Sequence, residues 1–466
     1  MKIQQIYTGC IAQAAYYLEH NGEAAVFDPL RETQPYLQRA ATDNAKIKYI
    51  FETHFHADFV SGHLDLAKKT GAQIVFGPTA KPHFDCVVAT DGEKFRIGGY
   101  TVTAIHTPGH TLESTCWLLT DENGRDYGII TGDTLFIGDV GRPDLAQKSA
   151  EGLTTEKLAA MLYRSLRERI MPLADDLIVF PSHGAGSACG KNMSKETTDT
   201  LGNQKRTNYA LRPDMTESEF VTELLDGLGA PPAYFPQNVM LNIGGYDSLD
   251  AVMRESLKPM PPAKFISVAQ QTGAVVLDVR HEDLFTASHI PGSIFIGLQG
   301  NFAPWAGAVL MDVDRPLLLV TPEGKEEEAI MRLSRVGFDK VLGYLEGGIE
   351  AWVSAGFQTD NIESISPETF ASGLRSKPVV DARKPGEFNA GHIEGAVNIS
   401  LDTVHEHFAE IPAQSFYLHC QGGYRSVIMA SVLKARGIHH AVNVEKGFVG
   451  IKNAGVPVVE TACTKA

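Results

Sequence analysis

The sequence predicts an α/β chain of several domains, and three observations carry that reading. Four apolar, strand-like segments each end in a histidine or aspartate beside glycine or proline. A stretch of the second half repeats an earlier one at a fixed offset, and 466 residues exceed what a single core usually holds. Charged residues make up 21% and hydrophobic residues 43% of the chain, an ordinary globular balance that predicts no large disordered region.

The first segment is Tyr49-Ile50-Phe51, which runs into Thr53-His54-Phe55-His56-Ala57-Asp58-Phe59. Histidines at i and i+2 share a side of an extended chain, and the turn that follows brings a third donor near the same point. Alone, such a motif arises by chance on many surfaces. Its companions are Val102-Thr103-Ala104-Ile105-His106-Thr107-Pro108-Gly109-His110, Gly128-Ile129-Ile130-Thr131-Gly132-Asp133 and Leu177-Ile178-Val179-Phe180-Pro181-Ser182-His183-Gly184. In this order and at this spacing, over about the first half of the chain, the motifs resemble the metallo-β-lactamase superfamily. The resemblance implies an αβ/βα sandwich with a metal in the cleft at one edge of two facing sheets.

Position 59 narrows the expectation. Two-metal hydrolases of that superfamily, such as glyoxalase II, read H-x-H-x-D-H, with the last two donors on the second metal; here the final residue is Phe59. His54, His110 and Asp133 remain as the set for one ion. Two imidazoles and a carboxylate with open positions form the face used by non-haem iron(II) oxygenases, whereas structural zinc favours four protein donors. The expected cofactor is Fe(II), one per chain. Persulfide dioxygenases of the superfamily look like this, and Gly141-Arg142-Pro143-Asp144 resembles their G-R-[TP]-D signature. His56, Asp58 and His183 match second-metal positions; they are open between hydrogen-bonding the ligands, the favoured reading, and a vestigial second metal site. Arg142 is open between binding a substrate carboxylate and pairing with Asp144. His63 and His106 read as structural, and Lys205 and Arg206 as exposed surface charge.

The first domain is expected over residues 1–245. Leu158, Met161, Leu162, Tyr163 and Leu166 recur at helical spacing across Glu156–Arg169. Two further helices are expected between Asp199 and Gly229, the second opening on the capping box Thr216-Glu217-Ser218-Glu219, and Pro231-Pro232 should end the helical region.

Beyond a second punctuation at Pro259-Met260-Pro261-Pro262 the chain repeats. Asp278-Val279-Arg280, Phe285 and His289-Ile290-Pro291-Gly292 recur as Asp381-Ala382-Arg383, Phe388 and His392-Ile393-Glu394-Gly395, all at an offset of 103 residues. Two tandem α/β units follow, 246–360 and 361–466. Both resemble rhodanese domains.

Only the second unit carries a nucleophile. Ser415-Phe416-Tyr417-Leu418-His419 ends at Cys420, followed by Gln421-Gly422-Gly423-Tyr424-Arg425-Ser426 and a helical run from Val427. A cysteine at the mouth of such a loop meets backbone N–H groups and a helix N-terminus, which favour a thiolate or a bound persulfide. Arg425 is expected to act in catalysis with Cys420 by adding positive charge, and Gln421, Gly422, Gly423, Tyr424 and Ser426 to line the substrate. In rhodaneses a loop of this length holds a persulfide. At the matching point of the first unit stands Thr321, which cannot carry sulfane sulfur, followed by the acidic run Glu326-Glu327-Glu328. That unit is assigned a structural or docking role.

The order of these parts resembles the fused persulfide dioxygenase and sulfurtransferase proteins of bacterial sulfide detoxification. The resemblance implies oxidation of a low-molecular-weight thiol persulfide by O2 to sulfite, and transfer of sulfane sulfur through Cys420 between persulfide and sulfite or thiosulfate. The alternative is a dinuclear, glyoxalase II-like thioester hydrolase fused to a sulfurtransferase. A formal charge of −15 argues against a nucleic-acid partner, and with no apolar run of membrane length a cytoplasmic protein is expected. The cysteines are sparse and lack paired spacing, as in reduced thiols. Cys86 and Cys116 read as buried packing, and Cys463 as neither structural nor catalytic. Cys10 and Cys189, in small-residue loops near strand ends, are open between packing and an accessory thiol role. Self-association suits so modular a chain, although the sequence names no interface.

Overall fold

In the computed structural model, which describes residues 2–146, 152–191, 193–374 and 376–460, the strand alternation of the first half builds two facing sheets. Cys463 lies outside the described residues. The chain divides into two units, Met1–Val252 with Leu333–Gly337, and Met253–Arg332 with Phe338–Ala466. In the first unit β1 (Lys2–Thr8), β2 (Gln13–His20), β3 (Glu23–Phe27), β4 (Lys46–Phe51), β5 (Gln73–Phe76) and β6 (Val87–Val88) lie side by side in chain order. A second sheet takes β7 (Lys94–Ile97), β8 (Tyr100–His106), β9 (Thr115–Thr120), β10 (Asp126–Gly132), β11 (Ile178–Pro181) and β12 (Asp199–Thr200), again in order.

Period-two alternation sorts the side chains into layers. Ala14, Tyr16 and Leu18 of β2 join Phe51, Val102, Ala104 and Trp117 in the core between the sheets. Their neighbours Ala15 and Tyr17 pack outward with Tyr36, Ala40 and Leu66 of the covering helices. On the far side Ile105, Cys116, Ile129 and Val179 pack against Ala159, Leu162 and Leu166. This is the αβ/βα sandwich expected from the sequence, with Cys116 in the core and Cys86 packed at its margin.

Strand direction then gathers the donor-bearing ends. β4 runs parallel to β3, and β11 parallel to β10. β8 and β10 are both antiparallel to β9, so they too share a direction. Chain leaving β3, β4, β8, β10 and β11 therefore emerges at one edge.

Two helical expectations change. The helix beginning at Thr155 is α-helical only to Arg164 and continues as a π turn over Ser165–Ile170. The wider turn lets Leu166 and Ile170 enter the core while Ser165 Oγ donates to Pro108 O at 2.7 Å. Helices follow over Leu201–Thr207 and over Glu217–Leu225, the latter with the expected capping box at Thr216. Pro231-Pro232 does not end the helical region, because Phe235–Gly244 is helical, with Pro236 in its first turn where no intrahelical N–H is needed. From this helix the buried Asn242 donates to His56 O and Phe59 O, both at 2.8 Å, and accepts from Ser61 N–H at 2.9 Å. A side chain 183 residues beyond Phe59 thus holds the loop that carries the histidines. Among the described residues no helix is long and apolar enough to cross a membrane.

In the second unit the repeat is exact in topology. β13 (Pro259–Met260), β14 (Val275–Asp278), β15 (Ile294–Phe295), β16 (Leu317–Val320) and β17 (Val341–Leu345) form a parallel sheet in the order β13-β17-β16-β14-β15. β18 (Ser364–Ile365), β19 (Val379–Asp381), β21 (Val397–Asn398), β22 (Phe416–His419) and β23 (Ala441–Val444) take the corresponding order β18-β23-β22-β19-β21, and β20 (His392–Ile393) pairs with β24 (Val458–Val459). The shared motifs are structural. Arg280 and Arg383 each bind the carboxylate two residues earlier and donate to Ser288 O and Gly391 O. His289 and His392 stack on Phe285 and Phe388 with ring centroids 4.0 and 3.8 Å apart.

Replacing Asn242 with alanine strands two buried carbonyls and one N–H, each worth about 1–3 kcal/mol when unpaired. Asn242→Ala is expected to lower the urea midpoint of the first domain, followed by circular dichroism, by an amount equivalent to about 2–3 kcal/mol.

Candidate metal centre and thiol site

Imidazole tautomers organise the edge of the sandwich. Asp28, at the end of β3, accepts from Thr53 N–H at 2.8 Å and from Thr53 Oγ1–H at 3.0 Å. With its proton spent there, Thr53 Oγ1 accepts from His54 Nδ1–H at 2.9 Å. His110 Nδ1 faces Arg142 O at 2.8 Å, and His183 Nδ1 faces Ala12 O at 3.2 Å, so both carry their proton on Nδ1. The Nε2 lone pairs of all three point inward.

Asp133 sits where they converge. Its Oδ2 is 3.3 Å from His110 Nε2 and 3.8 Å from His54 Nε2, while Oδ1 is 3.6 Å from His183 Nε2. His54, His110 and Asp133 form one compact buried donor group; His56, Asp58 and His183 form a second, and Cys189 forms a third with Asp133 and His183. Both Asp133 oxygens, His110 Nε2, His183 Nε2 and Asp58 Oδ1 are buried without a hydrogen-bond partner among the described residues. Leaving such groups unpaired costs several kcal/mol. Separations of 3.3 and 3.8 Å suit donors about 2.1 Å from a shared ion, so the residues fit a metal. Burial, reinforced by the neighbouring histidines, holds His54 well below the ordinary histidine range, which keeps it neutral as a ligand must be.

His56 differs from the other histidines. Its Nε2 lies 3.1 Å from Asp28 Oδ1 and 3.5 Å from Glu52 Oε2. Burial opposes its charge, yet the two carboxylates outweigh burial and raise it well above the ordinary range. Phe59, fully buried, lies against the His56 ring at 4.2 Å between centroids, where the two-metal hydrolases carry a donor.

The Gly141–Asp144 segment supports the ligands. Gly141 N donates to Asp133 O at 3.0 Å, and a Cβ on Gly141 would lie 2.2 Å from Asp133 O and 2.8 Å from His110 Nδ1. Arg142 is paired with Asp144 at 2.6 and 2.7 Å and donates to Ala188 O and Gly229 O. Arg142 thus pairs with Asp144, and its carbonyl orients His110.

Asp28, Glu52, Thr53 and Asn242 were not singled out from the sequence. Asp28 had a visible signal, because Ala24-Ala25-Val26-Phe27-Asp28-Pro29 repeats the pattern of an apolar strand ending in a donor beside proline. His63 meets Glu52 at 3.1 Å and His106 meets Leu112 O at 2.9 Å, both structural as expected. Lys205 pairs with Asp175, and Arg206 donates to Asn203. Burial pushes the Cys189 thiol well up, and Asp58 and Asp133 add to the shift. Cys10 belongs to none of the donor groups and accepts from Arg335 Nη1 at 3.1 Å.

In the second unit Cys420 follows β22 and is 1% exposed, with Sγ accepting from Gly423 N–H at 3.1 Å. Gly423 turns the loop with φ +111°, and the helix starts at Tyr424, three residues before the expected Val427. A Cβ on Gly447 would lie 2.3 Å from Cys420 O, so only glycine allows that approach. Gln421 Oε1 accepts from Arg383 at 3.3 Å, and Ser426 Oγ lies 2.8 Å from Gly423 O and 2.7 Å from Asn443 Oδ1. Arg425 corrects an expectation: Glu387 grips its guanidinium at 2.6 and 2.7 Å, so its charge is balanced and the backbone N–H groups and helix end supply the local polarity. In the first repeat Thr321 Oγ1 donates to Glu326 Oε1 at 3.0 Å instead.

The model of the metallo-beta-lactamase superfamily matches residues 8–183, and that of the rhodanese-like domain matches 262–355 and 366–454. A probable hydroxyacylglutathione hydrolase of Schizosaccharomyces pombe (strain 972) is 28% identical over 183 residues, 38% of this chain, and the match spans 66% of that protein, just under two thirds. The crystal structure of a metallo-beta-lactamase from Staphylococcus aureus subsp. aureus COL is 30% identical, with 74% of this chain and 99% of that one covered at a TM-score of 0.65. The structure of ETHE1 from Myxococcus xanthus is 24% identical, covering 52% of this chain and 96% of its own at a TM-score of 0.43. By its first domain the chain belongs to the metallo-beta-lactamase superfamily, and two rhodanese-like domains follow it.

Proposed function

We propose that the chain is a bifunctional enzyme of persulfide sulfur, an Fe(II) persulfide dioxygenase joined to a sulfurtransferase acting through Cys420. The observation that carries this reading is Phe59, buried against His56 in place of a second-metal donor, which leaves His54, His110 and Asp133 as a three-donor face. The overall reaction is R-S-SH plus O2 and water giving R-SH, sulfite and two protons. Iron, held by His54, His110 and Asp133, would supply a redox-active Lewis-acid centre through which electrons from the sulfane sulfur reach O2. The chain supplies orientation and exclusion. Thr53 and the Arg142 carbonyl hold His54 and His110 in the ligating tautomer, and Gly141 lets that carbonyl come close. Phe59 keeps one flank apolar, while the charge on His56 is balanced by Asp28 and Glu52.

At the second site the Cys420 thiolate attacks the terminal sulfur of a persulfide. A new S–S bond forms as the old one breaks, and the departing R-S⁻ takes up a proton. Sulfite then attacks the bound sulfur, thiosulfate leaves, and the Cys420 thiolate is restored. The partners proposed are thus a low-molecular-weight thiol persulfide, O2, and sulfite or thiosulfate.

A thioester hydrolase with two metals is the second reading. The grouping of His56, Asp58 and His183 favours it, as does the S. pombe relative's name. It requires turnover without oxygen and two metals per chain, and Phe59 weighs against it.

Cys420→Ser is expected to keep persulfide-dependent oxygen uptake on an oxygen electrode and to abolish thiosulfate formation; loss of both activities would contradict two separate sites. Phe59→His should raise bound metal, measured by elemental analysis, from about one toward about two ions per chain. Gly141→Ala, which pushes on both ligands, is expected to weaken metal retention about 10- to 100-fold in a chelator competition.

A further inference from the structure

The three-donor face uses only one side of Asp133. Its Oδ2 stands with His54 and His110, while Oδ1 turns to His183 Nε2 at 3.6 Å. Oδ1 and that Nε2 are both buried without a hydrogen-bond partner among the described residues. His183 is 2% exposed, and the Ala12 carbonyl keeps its proton on Nδ1, so the Nε2 lone pair faces the carboxylate. Asp133 is ionised as a metal ligand, which makes both groups acceptors. Two buried acceptors turned on each other destabilise the fold unless a cation lies between them.

The third group at this place decides the chemistry. Phe59 offers no donor, and His56 turns its Nε2 to the carboxylates of Asp28 and Glu52. A thiol stands there instead: an oxygen of Asp133, a ring nitrogen of His183 and the sulfur of Cys189 lie within 4.8 Å of one another. Cys189 is 1% exposed, and the loop that carries it is pinned along its length. Gly184 N donates to Ala12 O at 3.2 Å, Arg142 N donates to Cys189 O at 2.9 Å, and Arg142 Nη1 donates to Ala188 O at 3.1 Å. Cys189 N donates to Ser187 Oγ at 3.1 Å, and Lys191 N to Asp139 Oδ2 at 2.7 Å. His183 and Cys189 thus stand at the two ends of one short, fixed loop. Asp58 Oδ2, 3.5 Å from His183 Nε2, adds a second carboxylate beside them.

This set differs in kind from the first. Two imidazoles and a carboxylate suit iron(II), whereas a thiolate with one imidazole and a carboxylate selects softer ions of the zinc class. Three protein donors hold zinc less firmly than the four of a closed structural site, so such a site fills when zinc is supplied.

We propose that Asp133, His183 and Cys189 form a second, thiolate-ligated site for a zinc-class divalent cation, which shares Asp133 with the three-donor face. Cys189 enters as the thiolate and gives up its proton when the ion binds. The ion ties the His183–Cys189 loop to the strand end that carries Asp133. It takes no part in the oxygen reaction, and the assignment rests on donor geometry rather than on the chemistry at the first site.

The test adds Zn²⁺ without oxygen to full-length, iron-loaded Cys420→Ser protein, in which the thiol of the second domain cannot compete. Zinc is read by X-ray absorption and iron by elemental analysis. About one zinc per chain should bind with one sulfur neighbour at about 2.3 Å and an iron neighbour at about 3.5–4 Å, and the iron should stay. Adding Cys189→Ser should remove the sulfur neighbour and weaken zinc retention about tenfold or more in a chelator competition. If that variant fails to fold, the sulfur and iron neighbours in the parent protein decide the question, because Cys189 alone of the described cysteines belongs to a donor group with Asp133. Zinc that does not bind, zinc that displaces iron, zinc with only nitrogen and oxygen neighbours, or a sulfur neighbour that survives Cys189→Ser would overturn the proposal. The sulfur neighbour reports on the second site whichever metal fills the first.

Discussion

Hydrogen bonds donated by the Nδ1–H groups of His54 and His110 are the constraint on which the first site depends. Each fixes a tautomer, and with it the direction of the Nε2 lone pair. The acceptors are themselves held, Thr53 by Asp28 and the Arg142 carbonyl by a side chain locked to Asp144. The cost of this order is a set of buried, unpaired atoms on Asp133, His110 and His183, which a folded chain tolerates where an ion offsets it. Fold and site are joined at this point, because strands running in one direction deliver the donors to one edge.

The second site works by similar means with different chemistry. Cys420 Sγ meets a loop N–H and the start of a helix, which stabilise negative charge on sulfur without fixing what the sulfur is attached to. Glu387 pairs with Arg425, so the loop's backbone N–H and the helix start are the groups that face the sulfur. Thr321, tied to Glu326, shows the same scaffold after the nucleophile is gone, with its topology intact.

Much of this was legible in the sequence because it rests on local periodicity. Alternating apolar residues announced the strands, and donors beside glycine or proline announced their ends. The repeat could be read because Asp-x-Arg and the His that stacks on Phe are short-range structures that need the same residues each time. What escaped was long-range or concealed by propensity. Asn242 lies far along the chain from the loop it clamps, and the helix that carries it begins just after two prolines. The π turn at Ser165–Ile170 preserves the spacing of apolar residues closely enough to pass for α-helix. Arg425 looked free because Glu387 is 38 residues away.

The centre of the account is a single iron that needs oxygen to act on a persulfide. The most direct measurement is the oxygen consumed per persulfide by protein of known metal content, beside an anaerobic control. The account predicts about one iron per chain, one O2 used per sulfite formed, and no persulfide loss at the first site without oxygen. Equal turnover with and without oxygen, or activity that follows two metals per chain, would contradict it.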